Sequence, residues 1–247
     1  MNQMNVWGMT DIGLVRKENQ DAYATTQHAA SGRTVGVVCD GMGGPAGGQV
    51  ASQIAVSVYL EELEKLLTAD QTPQQLLEAS AQAVSLANQA IQQEAERREE
   101  CRNMGTTLVS AISYDAGVVV TNVGDSRAYH ITKQAIRRIT RDHSVVEDLV
   151  AKGDLTPEQA RNHPQKNLIT RALGTARRVK ADLFQETVAE GDYLLLCSDG
   201  LINEVTDQEI HREVLAGGTP QEICQRLMTR TLDSGAPDNV TVVLFQL

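Results

Sequence analysis

The sequence predicts a layered α+β domain, and three observations carry that expectation. Its β-branched apolar runs are short and clustered, its two strongest helical patterns follow each other without an intervening strand, and no linker or repeat divides the chain. A parallel doubly wound sheet would alternate strand and helix instead. Residues 1–247 therefore read as a single domain.

The elements follow in chain order. Residues 4–9 are a weak strand candidate, and the run VGVVC at 35–39, stopped by Asp40, is a strong one. After a glycine-rich stretch, Ala51, Ile54, Ala55, Val58, Leu63, Leu66 and Leu67 recur with helical periodicity. Thr72-Pro73-Gln74-Gln75 starts a second helix, with a hydroxyl cap, proline at the first position and an amide at the third; its apolar stripe is Leu77, Val84, Ala87 and Ile91. Strands are expected at 107–113, 118–123, 128–131, 181–187, 193–197 and 240–245. The same start signal recurs at Thr156, Thr206 and Thr219, which predicts helices near 157–162, 207–215 and 220–233. Residues 144–166 are polar and mixed in pattern, the signature of a mobile flap outside the core.

Composition excludes several functions. The 247 residues carry 22 Lys and Arg against 32 Asp and Glu, a net charge of −10, with no basic block, so nucleic acid is not an expected partner. No apolar run approaches the roughly 18 residues of a membrane span, and Asp11, Arg16, Lys17 and Glu18 interrupt the place of a signal peptide. A cytoplasmic address without a membrane partner is expected. Cys39, Cys101, Cys197 and Cys224 form no CxxC pair and no disulfide framework, so they read as buried reduced thiols.

The informative feature is where the aspartates stand. Asp40, Asp125 and Asp199 each follow an apolar run, and Asp238 immediately precedes one. Strand ends in a layered sheet converge on an edge, where several carboxylates repel one another unless a cation neutralises them. Glycine after Asp40 and Asp199 lets the backbone turn and bring a carbonyl oxygen to the same ion. An all-oxygen donor set suits Mg²⁺ or Mn²⁺; the histidines have no zinc spacing. Any single Asp-Gly is also what an ordinary turn contains, but four such sites favour the cation. The alternative is a dinucleotide site: residues 41–46 match GxGxxA and Glu61 lies about twenty residues on, although the following helix leads to a helix where that motif needs a strand.

Taken together, T10-D-I-G-L-V-R16 through D21, D40-G-M-G-G with G47-G48 and A51-S52, M104-G-T-T107, G124-D-S-R127, T140-R-D-H-S144, S198-D-G-L201 and D238-N-V-T241 resemble the metal-dependent Ser/Thr protein phosphatases of the PPM or PP2C type, in the order and length of the small bacterial members. The resemblance spans residues 10–241. It implies a four-layer α-β-β-α sandwich of two antiparallel sheets flanked by helices, and hydrolysis of phosphoserine and phosphothreonine in proteins with Mg²⁺ or Mn²⁺. Phosphorylated Ser/Thr proteins, a cognate Ser/Thr kinase and a monomeric state follow as expectations.

By the same resemblance Asp40 bridges two ions, the Gly41 carbonyl joins one, Asp199 and Asp238 hold the other, and Asp21 orients water from behind. Asp125 and Asp199 match a third ion's ligands. Arg16 matches the phosphate-binding arginine, with a surface ion pair to Glu18 or Asp21 as its plainer reading; for Asp125 the plainer reading is a turn-tightening pair with Arg127. Two positions depart from parts of the family: Met42 and Pro45 stand where other members carry histidine, so no loop histidine can donate a proton. His143 is a conceivable substitute, with a structural hydrogen bond as its alternative.

Overall fold

The structure of the chain, a computed structural model, describes residues 4–44 and 47–247. Strands β1 (Asn5–Asp11), β2 (Asp21–Gln27) and β3 (Thr34–Met42) come first, followed by the paired helices α1 (Gly47–Leu66) and α2 (Pro73–Arg97). Strands β4 (Gly105–Thr106), β5 (Leu108–Tyr114), β6 (Gly117–Val123), β7 (Arg127–Ile131) and β8 (Ile136–Arg138) form the middle of the chain. Then come α3 (Val145–Lys152), α4 (Pro157–Arg161), β9 (Asp182–Thr187) and β10 (Tyr193–Cys197). Helices α5 (Asp199–Glu204), α6 (Asp207–Leu215) and α7 (Pro220–Asp233) precede the last strand, β11 (Val240–Gln246).

Among the described residues two antiparallel sheets form, in the orders β1-β11-β10-β7-β8 and β2-β3-β5-β6-β9, with β4 pairing β3. Period-2 alternation assigns each strand's side chains to two different cores. Leu194, Leu196, Val243 and Phe245 point between the sheets, where they meet Val38, Val109, Val118 and Val120. Their neighbours Leu195, Cys197, Val242 and Leu244 point outward against Leu201, Ile210, Ile223 and Leu227 of the C-terminal helices. Val37, Leu108, Ile112 and Val119 face the opposite outer layer, packing on Tyr59, Leu76, Val84 and Ile91 of α1 and α2. The result is the expected four-layer sandwich. Gly36 lets the sheets approach: a Cβ there would stand 2.5 Å from the Phe245 ring.

Each predicted start signal closes a capping box in the structure: Thr72 with Gln75, Thr156 with Gln159, Thr206 with Glu209, and Thr219 with Glu222. The expected strands form with shifts of a few residues. Strands β2, β4 and β8 go unforeseen, because DAYATTQ, GT and IRR contain little or no apolar run to mark them. Asp40 lies inside β3 instead of beyond it, since pairing with β4 extends the strand to Met42. Residues 144–166 are less irregular than their composition suggests, for Ser144 caps α3 and Gly153, at φ 82°, closes it. All four cysteines are buried and free, as expected. No helix among the described residues is long and apolar enough to cross a membrane.

One buried polar network ties the helical layer to its sheet. The Tyr59 hydroxyl lies 2.6 Å from both Ser80 Oγ on α2 and Ser110 Oγ on β5, and Ser80 Oγ lies 2.6 Å from Thr121 Oγ1 on β6. Tyr59→Phe removes the shared member, leaving the buried Ser110 hydroxyl without its Tyr59 partner and Ser80 with Thr121 alone, so it should cost about 1–3 kcal/mol. Urea unfolding measures this; a midpoint unchanged from wild type would mean the network adds nothing to stability.

Candidate active site

Four strand ends deliver the acids to one edge of the sandwich. Asp40 comes from β3, Asp125 from the turn between β6 and β7, Asp199 from the first residue of α5 after β10, and Asp238 from the approach to β11. They line a single cleft together with Arg16, Gly41 and Met42. Asp21 sits behind it, directly across from Asp40 in the β2–β3 register.

The backbone of Asp40 is fixed from three directions. Its N–H donates to Thr107 Oγ1 at 2.9 Å, while its carbonyl accepts from the Thr107 N–H at 2.9 Å and from Thr106 Oγ1 at 2.8 Å. Gly41 is wedged between segments: a Cβ would lie 2.0 Å from the Gly48 carbonyl oxygen and 2.6 Å from that of Gln20. Only glycine fits there.

Asp21 Oδ2 accepts from Ser198 Oγ and from Thr241 Oγ1, both at 2.7 Å. Thr241 Oγ1 is in turn 2.7 Å from Thr10 Oγ1. The other oxygen, Asp21 Oδ1, is buried and has no hydrogen-bond partner among the described residues; Asp199 Oδ1 is in the same condition. Burial first, then the hydroxyl bonds in the opposite sense, set the ionisation of Asp21, which is pushed up to about 7 with Asp199 and Asp238 adding repulsion. Burial likewise pushes Asp40 well above the usual carboxylate range, with Asp21, Asp199, Asp125 and Asp238 all contributing repulsion. Asp125 is raised by burial and then by Asp199, and Asp199 by burial and then by Asp238.

Arg16 pairs with neither Glu18 nor Asp21. Its Nη2 donates to Asp238 Oδ2 at 2.7 Å, which places the guanidinium at the mouth of the cleft. Asn239 makes that possible by holding the loop that carries Arg16: its Nδ2 donates to the carbonyls of Ile12 and Glu18, and its Oδ1 accepts from the Gln20 N–H. Asp125 is not paired with Arg127 either. That guanidinium grips Asp142, with Nη2 at 2.6 Å from Oδ2. Neither pairing is readable from sequence proximity, because Arg16 and Asp238 are 222 residues apart.

His143 is buried and lies outside the cleft lining, its Nδ1 accepting from the Gly124 N–H at 2.9 Å. It belongs to the structure of a turn, and proton donation to a substrate is not open to it. Met42 lines the cleft without a proton to give. Pro45 and Ala46 lie outside the described residues. The dinucleotide alternative fails on topology, since α1 runs into α2 and the strands that then return beside β3, β4 and β5, pair with it antiparallel where that motif needs a parallel strand.

Among the described residues no three acidic, histidine or cysteine side chains are already drawn into a metal cage. The carboxylates line a common cleft without closing on one point.

The sequence model of protein phosphatase 2C matches residues 15–232. The chain belongs to this family. It is 37% identical over 237 residues to the serine/threonine phosphatase stp of Listeria monocytogenes, a match covering 96% of this chain and 93% of that one. Over 245 residues it is 35% identical to protein phosphatase PhpP of Streptococcus pneumoniae, covering 99% and 98%. The solved serine/threonine phosphatase of S. agalactiae superposes with a TM-score of 0.92 at 32% identity, covering 99% of each chain.

In this phosphatase 2C chain the acids are legible in the sequence and the groups that orient them are not. Thr10, Thr106, Thr107, Ser198, Thr241 and Asn239 were visible only as members of motifs, since a hydroxyl's partner is set by the fold. A pH effect follows from the burial of Asp21, to which the neighbouring acids add repulsion. In chelator-treated protein Asp21 keeps its proton up to about 7 when folded, whereas an unfolded aspartate loses it near about 4. Between those values the folded state holds the extra proton, so the Asp21 carboxyl lowers stability as pH rises. Thermal melts should therefore give Asp21→Asn a growing advantage over wild type across that window. A shrinking one would refute the raised ionisation of Asp21.

Proposed function

We propose that this phosphatase hydrolyses phosphoserine and phosphothreonine in proteins with Mg²⁺ or Mn²⁺, opposing Ser/Thr kinases. The observation that carries the reading is the arrival of four carboxylates from four separate strand ends, beside one arginine, in a single cleft. The residues fit a hard divalent cation. Among the described residues, buried oxygens of Asp21 and Asp199 have no hydrogen-bond partner, Asp40 and Asp199 are raised first by burial and then by repulsion from neighbouring acids that a cation would relieve, and every donor is oxygen.

Asp40, the Gly41 carbonyl, Asp199 and Asp238 are the proposed ligands of two ions, and Asp125 with Asp199 those of a third. Bound there, the ions would lower the pKa of water and offset charge on the phosphoryl group in flight. Asp21, held by Ser198 and Thr241, would orient the attacking water through its other oxygen, which has no partner among the described residues. Arg16 uses Nη2 for Asp238, and a guanidinium has five N–H donors, so donors remain for phosphate oxygens. No side chain is assigned to protonating the leaving oxygen. Helices α3 and α4 flank a second hollow that shares Asp125, Asn167 and Asp199 with the cleft, which supports 144–166 as a flap over the phosphopeptide.

The test uses purified enzyme with p-nitrophenyl phosphate and a phosphothreonine peptide, in Mn²⁺, Mg²⁺ or EDTA. Phosphate release should need the metal; undiminished turnover in EDTA would overturn the proposal. Asp40→Asn and Asp199→Asn should each cost about 100-fold in kcat, roughly 2.7 kcal/mol of barrier. Arg16→Ala should raise KM by an amount worth about 1.5–3 kcal/mol, with a smaller effect on kcat. An unchanged KM would leave Arg16 as only a partner of Asp238. Substitutions on the exposed face of α3 and α4 should change kcat/KM among phosphopeptides while p-nitrophenyl phosphate turnover stays constant; equal losses on both would make the segment part of the scaffold.

A further inference from the structure

The segment Thr140-Arg-Asp-His-Ser144 has no part in the chemistry above, yet it is bonded to the Asp125 turn at several points. Residues 124 and 143 exchange two hydrogen bonds: the Gly124 N–H donates to His143 Nδ1 and the His143 N–H donates to the Gly124 carbonyl, both at 2.9 Å. Arg127 grips Asp142 through Nε and Nη2, and the Ala128 N–H donates to Thr140 Oγ1 at 3.1 Å. From the other side Thr107 Oγ1 lies 2.7 Å from Ser126 Oγ. Gly124 stands at φ 107°, and a Cβ there would be 2.5 Å from Thr107 Cγ2. Gly124, Ser126 and Arg127 are thus each held.

A backbone N–H can only donate, so His143 Nδ1 must carry the lone pair and the ring proton resides on Nε2. Nε2 is buried 3.1 Å from Asp182 Oδ2, off the line of a good hydrogen bond but close enough for electrostatic pairing. Asp182 is itself paired with Arg171 at 2.7 Å. The tautomer that Gly124 needs is therefore the one the Asp182 carboxylate favours, since that carboxylate faces the ring N–H.

We infer that His143 is a positioning residue: by holding the Gly124 N–H it fixes the turn that presents Asp125 to the third, weaker cation site shared with Asp199. This rests on the metal reading proposed above. A histidine that only stabilised the fold would lower the melting temperature without a local effect on the turn, and Asn would not replace it.

The experiment compares His143→Ala, His143→Asn and Asp125→Ala in the full chain. Asn places an oxygen acceptor at the δ position and should restore the bond to Gly124. First, amide hydrogen exchange in chelator-treated protein should be about 10–100-fold faster at residues 124–127 in His143→Ala and near wild type in His143→Asn. Unchanged exchange at these residues, or exchange raised equally throughout the sandwich, overturns the inference. Second, Mn²⁺ calorimetry should find the tight ions retained in His143→Ala and the weakest ion loosened about tenfold, again recovered in Asn. Wild-type affinity for that ion in His143→Ala overturns the inference even if the protein melts earlier. If Asp125→Ala binds every ion as wild type does, the third site itself is refuted and His143 with it as that site's positioning residue. Dependence of wild-type turnover on metal remains a separate readout, so failure of the metal reading is distinguishable from failure of His143.

Discussion

Like-charge repulsion at one edge of the sandwich is the constraint on which the rest of the site depends. Asp40, Asp125, Asp199 and Asp238 line the same cleft, with Asp21 behind them, and burial removes the water that would otherwise screen them. Such a group of acids cannot hold itself together. What keeps the carboxylates in place must come from the backbone and from neutral donors, because a shell of lysines and arginines would neutralise the cleft it was meant to hold open. The structure follows that logic. Asp40 is gripped by its own N–H and carbonyl, Asp21 by two hydroxyls, and Asp125 by a turn whose flanking residues are bonded on both sides.

The guanidinium at the mouth fits the same scheme. Arg16 touches the cleft through Asp238, whose side chain is 30% exposed, and more than half of the Arg16 side chain is exposed. Asn239 fixes the loop from which it reaches in, so its position is set by amide bonds and not by the ion pair alone. Arg127 and Arg138, by contrast, are turned to Asp142 and leave Asp125 without a bonded counter-charge. The fold spends its nearby guanidinium groups on scaffolding and keeps the acids available.

Two sheets supply the acids, and the α-β-β-α layering is what lets them do so. Asp40 and Asp21 come from the sheet packed on α1 and α2, while Asp199 and Asp238 come from the sheet packed on α5 to α7. The intersheet core of Val38, Val120, Leu196, Val243 and Phe245 fixes how those ends face each other. Errors in that core would be transmitted to the cleft, since close-packed interiors pass strain on instead of absorbing it.

Most of the frame was legible in the chain by itself. Alternating and continuous apolar runs placed the principal strands, the four threonine start signals placed their helices, and the successive α1 and α2 patterns excluded a parallel sheet, because each of these is decided within a few residues. The acids, too, were legible, as aspartates stopping apolar runs. Strand β2 was not, for DAYATTQ acquires its pairing only when β3 lies beside it, and α3 was not, for Ser144 and Gly153 bound a helix too short to show a period. The partners of Arg16, Arg127 and His143 were decided by tertiary structure alone. Charge and hydrogen-bond capacity are properties of a residue, but which of several acids or amides lies within 3 Å depends on how distant strand ends are brought together by the two sheets.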